Sequence, residues 1–126
     1  MNDLANQRIL VVEDEFLISA MLCDMLEDAS VVAVGPAATV AEALKLIEDG
    51  QVDAAILDMN LQGQWSDPVA EELQRRGIPF VFTSGYGANE RSERFRARAV
   101  AKPYSWEMLE DQLRQAIQDG AGRVGA

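Results

Sequence analysis

Two short apolar runs in this chain stop at acids. Ile9-Leu10-Val11-Val12 runs into Glu13-Asp14, and Ala54-Ala55-Ile56-Leu57 runs into Asp58. Further on, Thr83-Ser84 closes a third run and Lys102 follows a fourth. Carboxylates brought together repel one another unless a cation neutralises them. Ligands that are all oxygen, with no His or Cys, suit a hard ion such as Mg²⁺. Lys102 would pair with a carboxylate or an incoming phosphate, Thr83 adds a hydroxyl, and the small Ser84 leaves its backbone N–H accessible. A metal, a nucleophilic carboxylate, a cation and a hydroxyl are the parts needed to transfer a phosphoryl group onto Asp58. Each residue alone has a plainer reading. Glu13-Asp14-Glu15 could be acids favoured by a helix dipole, Asp58 a turn residue, Lys102 a solvated lysine and Thr83 a β-former. Their coincidence at successive strand ends favours a site.

Such residues meet only if the strands that carry them are parallel neighbours. Residues 54–57 are apolar at every position, which reads as a strand buried on both faces with helices above and below. In open α/β sheets of that kind, ligands bind beyond the carboxyl ends of the strands. The pattern predicts strands at 8–12, 31–34, 54–58, 80–83 and 99–101. Gly35-Pro36 is expected to close the second of these. Helices are expected from Glu15 to Asp28, from Thr39 to Asp49, from Asp67-Pro68 to about Arg76, and from a Ser105 cap to about Gln118. Thr39 with Glu42 has capping-box spacing, Gly50 ends that helix, and Asp67-Pro68 reads as an N-cap followed by proline. Residues 59–66 are expected to be an irregular loop. From Ala88 to Arg98 the chain is polar and Arg-rich, with Phe95 nearly alone as an apolar anchor, so a fourth helix there should be short or mobile. Strands alternating with helices imply a doubly wound, five-stranded parallel sheet with right-handed crossovers and helices on both faces.

Composition narrows the field. The chain has 126 residues and 48% hydrophobic content, which suits one domain with a real core. A net charge of −10 argues against nucleic acid or an anionic membrane as a direct partner. The chain contains no histidine, which excludes histidine triads, histidine zinc sites and self-contained phosphohistidine chemistry. The single cysteine, Cys23, allows no intrachain disulfide and reads as a packing residue. No signal peptide and no membrane-length apolar stretch is present, so a cytoplasmic location is expected. The expected organisation is one domain over 6–118, a flexible tail over 119–126 and no output domain.

The ordered set Val11-Val12-Glu13-Asp14-Glu15, Leu57-Asp58-Met59-Asn60-Leu61, Thr83-Ser84-Gly85 and Lys102-Pro103 resembles the receiver domain of two-component response regulators. The resemblance covers about residues 6–118. It implies a flavodoxin-like strand order, 2-1-3-4-5, with Asp58 as phospho-acceptor and Glu13 and Asp14 as the acidic pair. It further implies a Mg²⁺ site completed by Asp58 and the backbone carbonyl of Asn60. Lys102 would contact the phosphoryl group, Thr83 would be the switch hydroxyl, and a cis peptide before Pro103 would aim Lys102 inward. Receiver domains usually carry an aromatic switch residue three positions before the lysine; here that position is Ala99, so the usual threonine-to-aromatic rotation cannot operate in its standard form. The readout would fall instead to Tyr86 or Phe95.

The loop after Asp58 and the stretch Ile78-Pro79-Phe80-Val81-Phe82-Thr83-Ser84-Gly85-Tyr86-Gly87 resemble the FAT GUY subclass, with Val81-Phe82 in place of Phe-Ala. That resemblance points to a sensor histidine kinase of the HWE or a related class as partner; a histidine phosphotransfer protein is the other expected phosphodonor, and the chain is expected to be a monomer or weak dimer. The expected role is a single-domain regulator that signals by conformational change, or acts as a phosphate sink or shuttle. Three rivals stand beside it. An aspartyl phosphohydrolase usually carries a second acid where this chain has Asn60. A flavodoxin-type carrier needs a phosphate cradle where Glu13-Asp14-Glu15 is acidic. A degenerate receiver would be a phosphorylation-independent interaction module.

Overall fold

The computed structural model describes residues 4–85 and 87–123. In chain order the elements are β1 (Arg8–Val12), α1 (Phe16–Asp28), β2 (Val32–Ala37), α2 (Val40–Asp49), β3 (Ala54–Asp58), β4 (Asn60–Leu61), β5 (Gln64–Trp65), α3 (Asp67–Arg75), β6 (Phe80–Ser84), α4 (Glu90–Arg94), β7 (Arg98–Ala101) and α5 (Trp106–Arg123). Five parallel strands form one sheet in the order β2-β1-β3-β6-β7. This is the flavodoxin-like order the resemblance implied.

Side-chain alternation along the strands divides the core into two halves. Leu10, Val12, Ala55, Leu57, Phe80 and Phe82 face one way and pack with Ala43, Ile47, Val69 and Leu73 of α2 and α3. Ile9, Val11, Ala54, Ile56 and Val81 face the other way and pack with Leu22 and Leu26 of α1 and Leu109 and Leu113 of α5. Because the central strands are sealed on both faces, each can be apolar at every position. A fully buried side chain of this size contributes roughly 1.5–3 kcal/mol of transfer free energy. The sheet is therefore a rigid base for whatever its ends carry.

Five local features depart from the sequence pattern. Gly35-Pro36 does not close the second strand: β2 runs through it to Ala37, with a register shift against β1 and a cis Gly35-Pro36 peptide. Gly35 has φ +100°, and a Cβ there would lie 2.9 Å from the Ala37 nitrogen and 3.1 Å from the Val11 carbonyl, so only glycine fits. The expected loop at 59–66 contains the antiparallel hairpin β4–β5. Its turn residues, Gln62 and Gly63, both have positive φ, the pattern of the tight primed turns. At α3 the N-cap is Ser66, one residue before the expected Asp67, and it makes no side-chain cap bond because its hydroxyl donates instead to the Met59 carbonyl. The fourth helix is short, as expected, but it is firmly capped. Asn89 Oδ1 accepts from the Arg91 and Ser92 nitrogens, and Ser92 Oγ accepts from the Asn89 nitrogen. Finally, α5 continues beyond Gln118 to Arg123; a glycine lowers helix propensity by about 1 kcal/mol without forbidding the turn. Residues 124–126 of the expected tail lie outside the described residues.

Candidate functional site

Strand register alone gathers the acids. Val12 of β1 pairs with Leu57 of β3, so the next residue of each strand, Glu13 and Asp58, emerge side by side. Asp58 in turn pairs with Thr83 of β6, and Ser84 pairs with Ala101 of β7. Lys102 leaves β7 directly after that pair, its nitrogen donating to the Ser84 carbonyl at 2.7 Å. One ligand oxygen from each of Glu13, Asp14 and Asp58 lies within 4.8 Å of the others.

Glu13 and Asp58 are buried, at 4% and 6% exposure, and Asp14 is half-buried. Buried carboxylates need partners, and these have them. Lys102 Nζ donates to Asp58 Oδ2 at 2.8 Å and to Glu13 Oε1 at 2.9 Å. The remaining oxygens accept backbone N–H groups. Glu15 N reaches Glu13 Oε2 at 3.0 Å, Asn60 N reaches Asp58 Oδ1 at 3.3 Å, and Gln62 N reaches Asp14 Oδ2 at 2.9 Å. Burial works to lower the pKa of the Lys102 ammonium, but the hydrogen bonds and charges of Asp58 and Glu13 outweigh it and hold that pKa above the ordinary lysine value. Tyr104, two residues on, has its phenol pushed up by burial first and then by the charge of Glu13.

Three carboxylates against one ammonium leave a formal charge of −2 in the crevice. The donor set is all oxygen, it is preorganised by backbone N–H groups, and its residual charge matches a divalent ion. The residues present therefore fit Mg²⁺. Glu13, Asp14 and Asp58 could supply its oxygens. Asn60 sits at the start of β4, two residues past Asp58, with its side-chain Oδ1 taken by the Gly63 N–H at 2.8 Å.

Thr83 is buried at the β6 end opposite Asp58, and its carbonyl accepts the Met59 N–H. Ser84 is buried too, its hydroxyl donating to the Gly87 carbonyl at 3.0 Å, which ties it to the turn. The Lys102–Pro103 peptide is cis. Ala99 pairs with Phe82 and packs against the core face that holds Phe82 and Phe95. Phe95 is buried at the end of α4, its ring 5.9 Å from that of Phe82. Tyr86 lies outside the described residues. Cys23 stands apart from the site. Burial, then Glu27 and Asp24, pushes its thiol up in pKa, the behaviour of a packing residue.

Sequence reasoning missed the second ring of contacts. The Gln62 N–H on Asp14 depends on the unseen hairpin. Asn89 caps α4 and also directs its amide at Met59 Sδ, 3.3 Å away; an Asn followed three residues later by Ser was the available signal. Arg91 lies 3.7 Å over the Trp65 ring and pairs with Asp67, while Arg94 reaches both Asp67 and Glu71.

This architecture, a 2-1-3-4-5 parallel sheet with an acidic crevice bridged by a lysine, is that of a receiver domain. Residues 9–118 match the response regulator receiver domain family, and the chain belongs to it. Among solved structures it is similar to SdrG from Sphingomonas melonis Fr1, with 42% identity over 92% of this chain and 97% of that one at a TM-score of 0.73. A CheY-like receiver domain protein from Methanospirillum hungatei JF-1 shares the fold at 24% identity, TM-score 0.80, covering 94% of this chain and 98% of that one. A sensor protein from Polaromonas sp. JS666 does so at 24% identity, TM-score 0.79, covering 90% and 98% respectively. No curated protein sequence matches the chain significantly. Among the described residues, no helix is long and apolar enough to cross a membrane.

Proposed function

We propose that the chain is a Mg²⁺-dependent phospho-accepting regulator in which Asp58 takes a phosphoryl group from a phosphohistidine on a sensor kinase or phosphotransfer protein. The observation that carries this reading is the Lys102 ammonium held between Asp58 and Glu13 with Asp14 alongside. In the reaction a carboxylate oxygen of Asp58 attacks phosphorus, a P–O bond forms, the P–N bond to the donor imidazole breaks, and its electron pair stays on that nitrogen. Bound Mg²⁺ would screen the charge of the transferring group, with Glu13, Asp14, Asp58 and the Asn60 carbonyl as its oxygens. Lys102 is placed to follow the new phosphoryl oxygens, because the ammonium already touches the acceptor carboxylate. Thr83, at the neighbouring strand end, supplies the hydroxyl of the switch, and Ser84 a backbone N–H. The acyl phosphate adds about two negative charges, which reorders the segment from Ser84 to Arg98.

A macromolecular donor is favoured by the surface beside the crevice. Phe16 and Leu17, directly after the acidic run, are 79% and 74% exposed, and Met21 and Met108 are also exposed. An apolar groove of ≈ 280 Å³ lies between α1 and the Lys102-Pro103-Tyr104 turn. Exposed apolar residues grouped beside a charged site are characteristic of protein interaction faces. The Phe82-Thr83-Ser84-Gly85-Tyr86 motif supports membership of the FAT GUY subclass and a kinase of the HWE or a related class. The readout would use Phe95 or Tyr86 in place of an aromatic at Ala99. We infer a cytoplasmic location.

The test is incubation with a small phosphodonor and Mg²⁺, followed by intact-mass measurement. Wild type should gain one phosphoryl group and Asp58→Asn none. Equal incorporation by both would remove Asp58 as the acceptor, and none by wild type would favour the phosphorylation-independent interaction module.

A further inference from the structure

The β4–β5 hairpin touches the acidic crevice through β4 and its turn and α4 through β5, where Trp65 stands directly across from Asn60. On the β4 side, the Asn60 N–H bonds Asp58 and, at the turn, the Gln62 N–H bonds Asp14. On the β5 side, Trp65 lies against the Arg91 guanidinium, which stands 3.7 Å from the ring centroid. Asp67, two residues on, takes both Arg91 and Arg94 through Oδ2. The hairpin that joins these contacts is short and closed by a two-residue turn, and Ser66 pins its exit to the Met59 carbonyl through both N–H and hydroxyl. A shift of one strand is therefore passed directly to the other.

The α4 segment is built to respond to such a movement. A helix of five residues lies far below the roughly 12–15 residues at which isolated helices become even marginal in water. Its seat is therefore made by side chains: Arg91 and Arg94 on the hairpin and α3, Asn89 on Met59, and Phe95 on Phe82. Asp67 is half-buried, and its Oδ1 atom is buried with no hydrogen-bond partner, so the acceptor under the two arginines is not saturated. A partly satisfied buried carboxylate leaves the arginines room for a second arrangement. At Ala99 there is no ring to link the crevice to this flank through β7.

We propose that Arg91 and Trp65 are positioning residues: their clasp on the β4–β5 hairpin links the geometry of Asp14 and Asp58 to the seating of α4. The inference rests on the phospho-acceptor reading of the crevice. Linkage is reciprocal. If charge arriving at the crevice shifts the clasp, then loosening the clasp changes how tightly the crevice holds charge.

The experiment uses the full chain carrying Trp106→Phe, so that Trp65 is its only tryptophan. Mg²⁺ is titrated while Trp65 emission is followed, and the Mg²⁺ Kd is measured separately by calorimetry. In this protein the emission change should saturate at the calorimetric Kd. Arg91→Ala should abolish the emission change and shift the Kd by at least about fivefold, the lower end of typical couplings between sites. Arg91→Lys, which keeps the charge on Asp67, should restore part of both. Far-UV circular dichroism establishes that each variant is folded, and Trp65→Phe gives a second variant read by calorimetry alone. An unchanged Kd in folded Arg91→Ala and Trp65→Phe would overturn the linkage. Absence of Mg²⁺ binding in every protein, wild type included, would instead remove the phospho-acceptor reading on which it rests.

Discussion

The acidic crevice and the α4 flank meet at Met59, whose neighbour Asp58 belongs to one and whose sulfur takes the Asn89 amide of the other. They are held by different forces. The crevice residues extend strands whose preceding positions, Val12 and Leu57, are 1% and 0% exposed. Their placement follows from ladder hydrogen bonds and core packing, which salt does not screen. The flank has a single buried helical residue, Ser92, and depends on a cap, one aromatic ring and a set of arginine pairs. Ion pairs at partly exposed sites are weakened by salt, over a Debye length of about 10 Å at 0.1 M. The difference separates a rigid place for chemistry from a region whose position is cheap to change.

Substitutions can break that contrast. Leu57→Ala, inside the ladder, should cost the most, about 3–5 kcal/mol of global stability by urea denaturation. Lys102→Met comes next. It leaves Glu13 and Asp58 buried without their cation, at about 3 kcal/mol, the low end for a broken buried pair because a fifth of the lysine side chain is exposed. Millimolar Mg²⁺ should recover much of that loss in the variant, and failure to do so would argue that the carboxylates do not share a cation.

The same lysine sets a pH dependence. Its pKa is higher in the folded than in the unfolded chain, so its stabilisation is complete below the ordinary value of 10.5 and fades as pH climbs through the folded value. Wild type should therefore lose stability at alkaline pH more steeply than Lys102→Met. Parallel curves would show that the bridge carries no net stabilisation.

On the flank the costs shrink. Asn89→Ala removes the α4 cap and should cost about 1 kcal/mol, read more sharply as faster amide exchange over 90–95 than as a shift in Tm. Arg94→Ala, at a largely exposed pair, should cost under about 1 kcal/mol. A flank variant as damaging as Leu57→Ala would mean that α4 belongs to the same cooperative unit as the sheet.

The same contrast governs what the sequence allows to be read. Strands with every position apolar announce themselves, and an acid at the end of each of two adjacent strands is placed by register alone. Glu13, Asp58, Thr83 and Lys102 were legible for that reason, and so was the five-stranded order once the family resemblance was in hand. The hairpin was not, because two-residue strands carry no periodicity and Gln62-Gly63 lacks the asparagine or aspartate that usually marks a primed turn. Gly35-Pro36 misled in the opposite sense. Punctuation that normally ends a strand here accommodates a bulge inside one. The partners of the α4 arginines were not legible either, since Asp67, Glu71 and Trp65 lie more than twenty residues earlier in the chain.

Lys102 has one more consequence. To reach Asp58 on β3 it crosses the end of β6, tying an edge strand of four residues to the centre of the sheet. Peeling β7 and α5 away from the rest would leave two buried anions facing each other without a counterion. This terminal part of the fold should thus resist partial detachment more strongly than its small strand would suggest. In hydrogen exchange, β7 amides should open together with those of β3, not as a fraying edge.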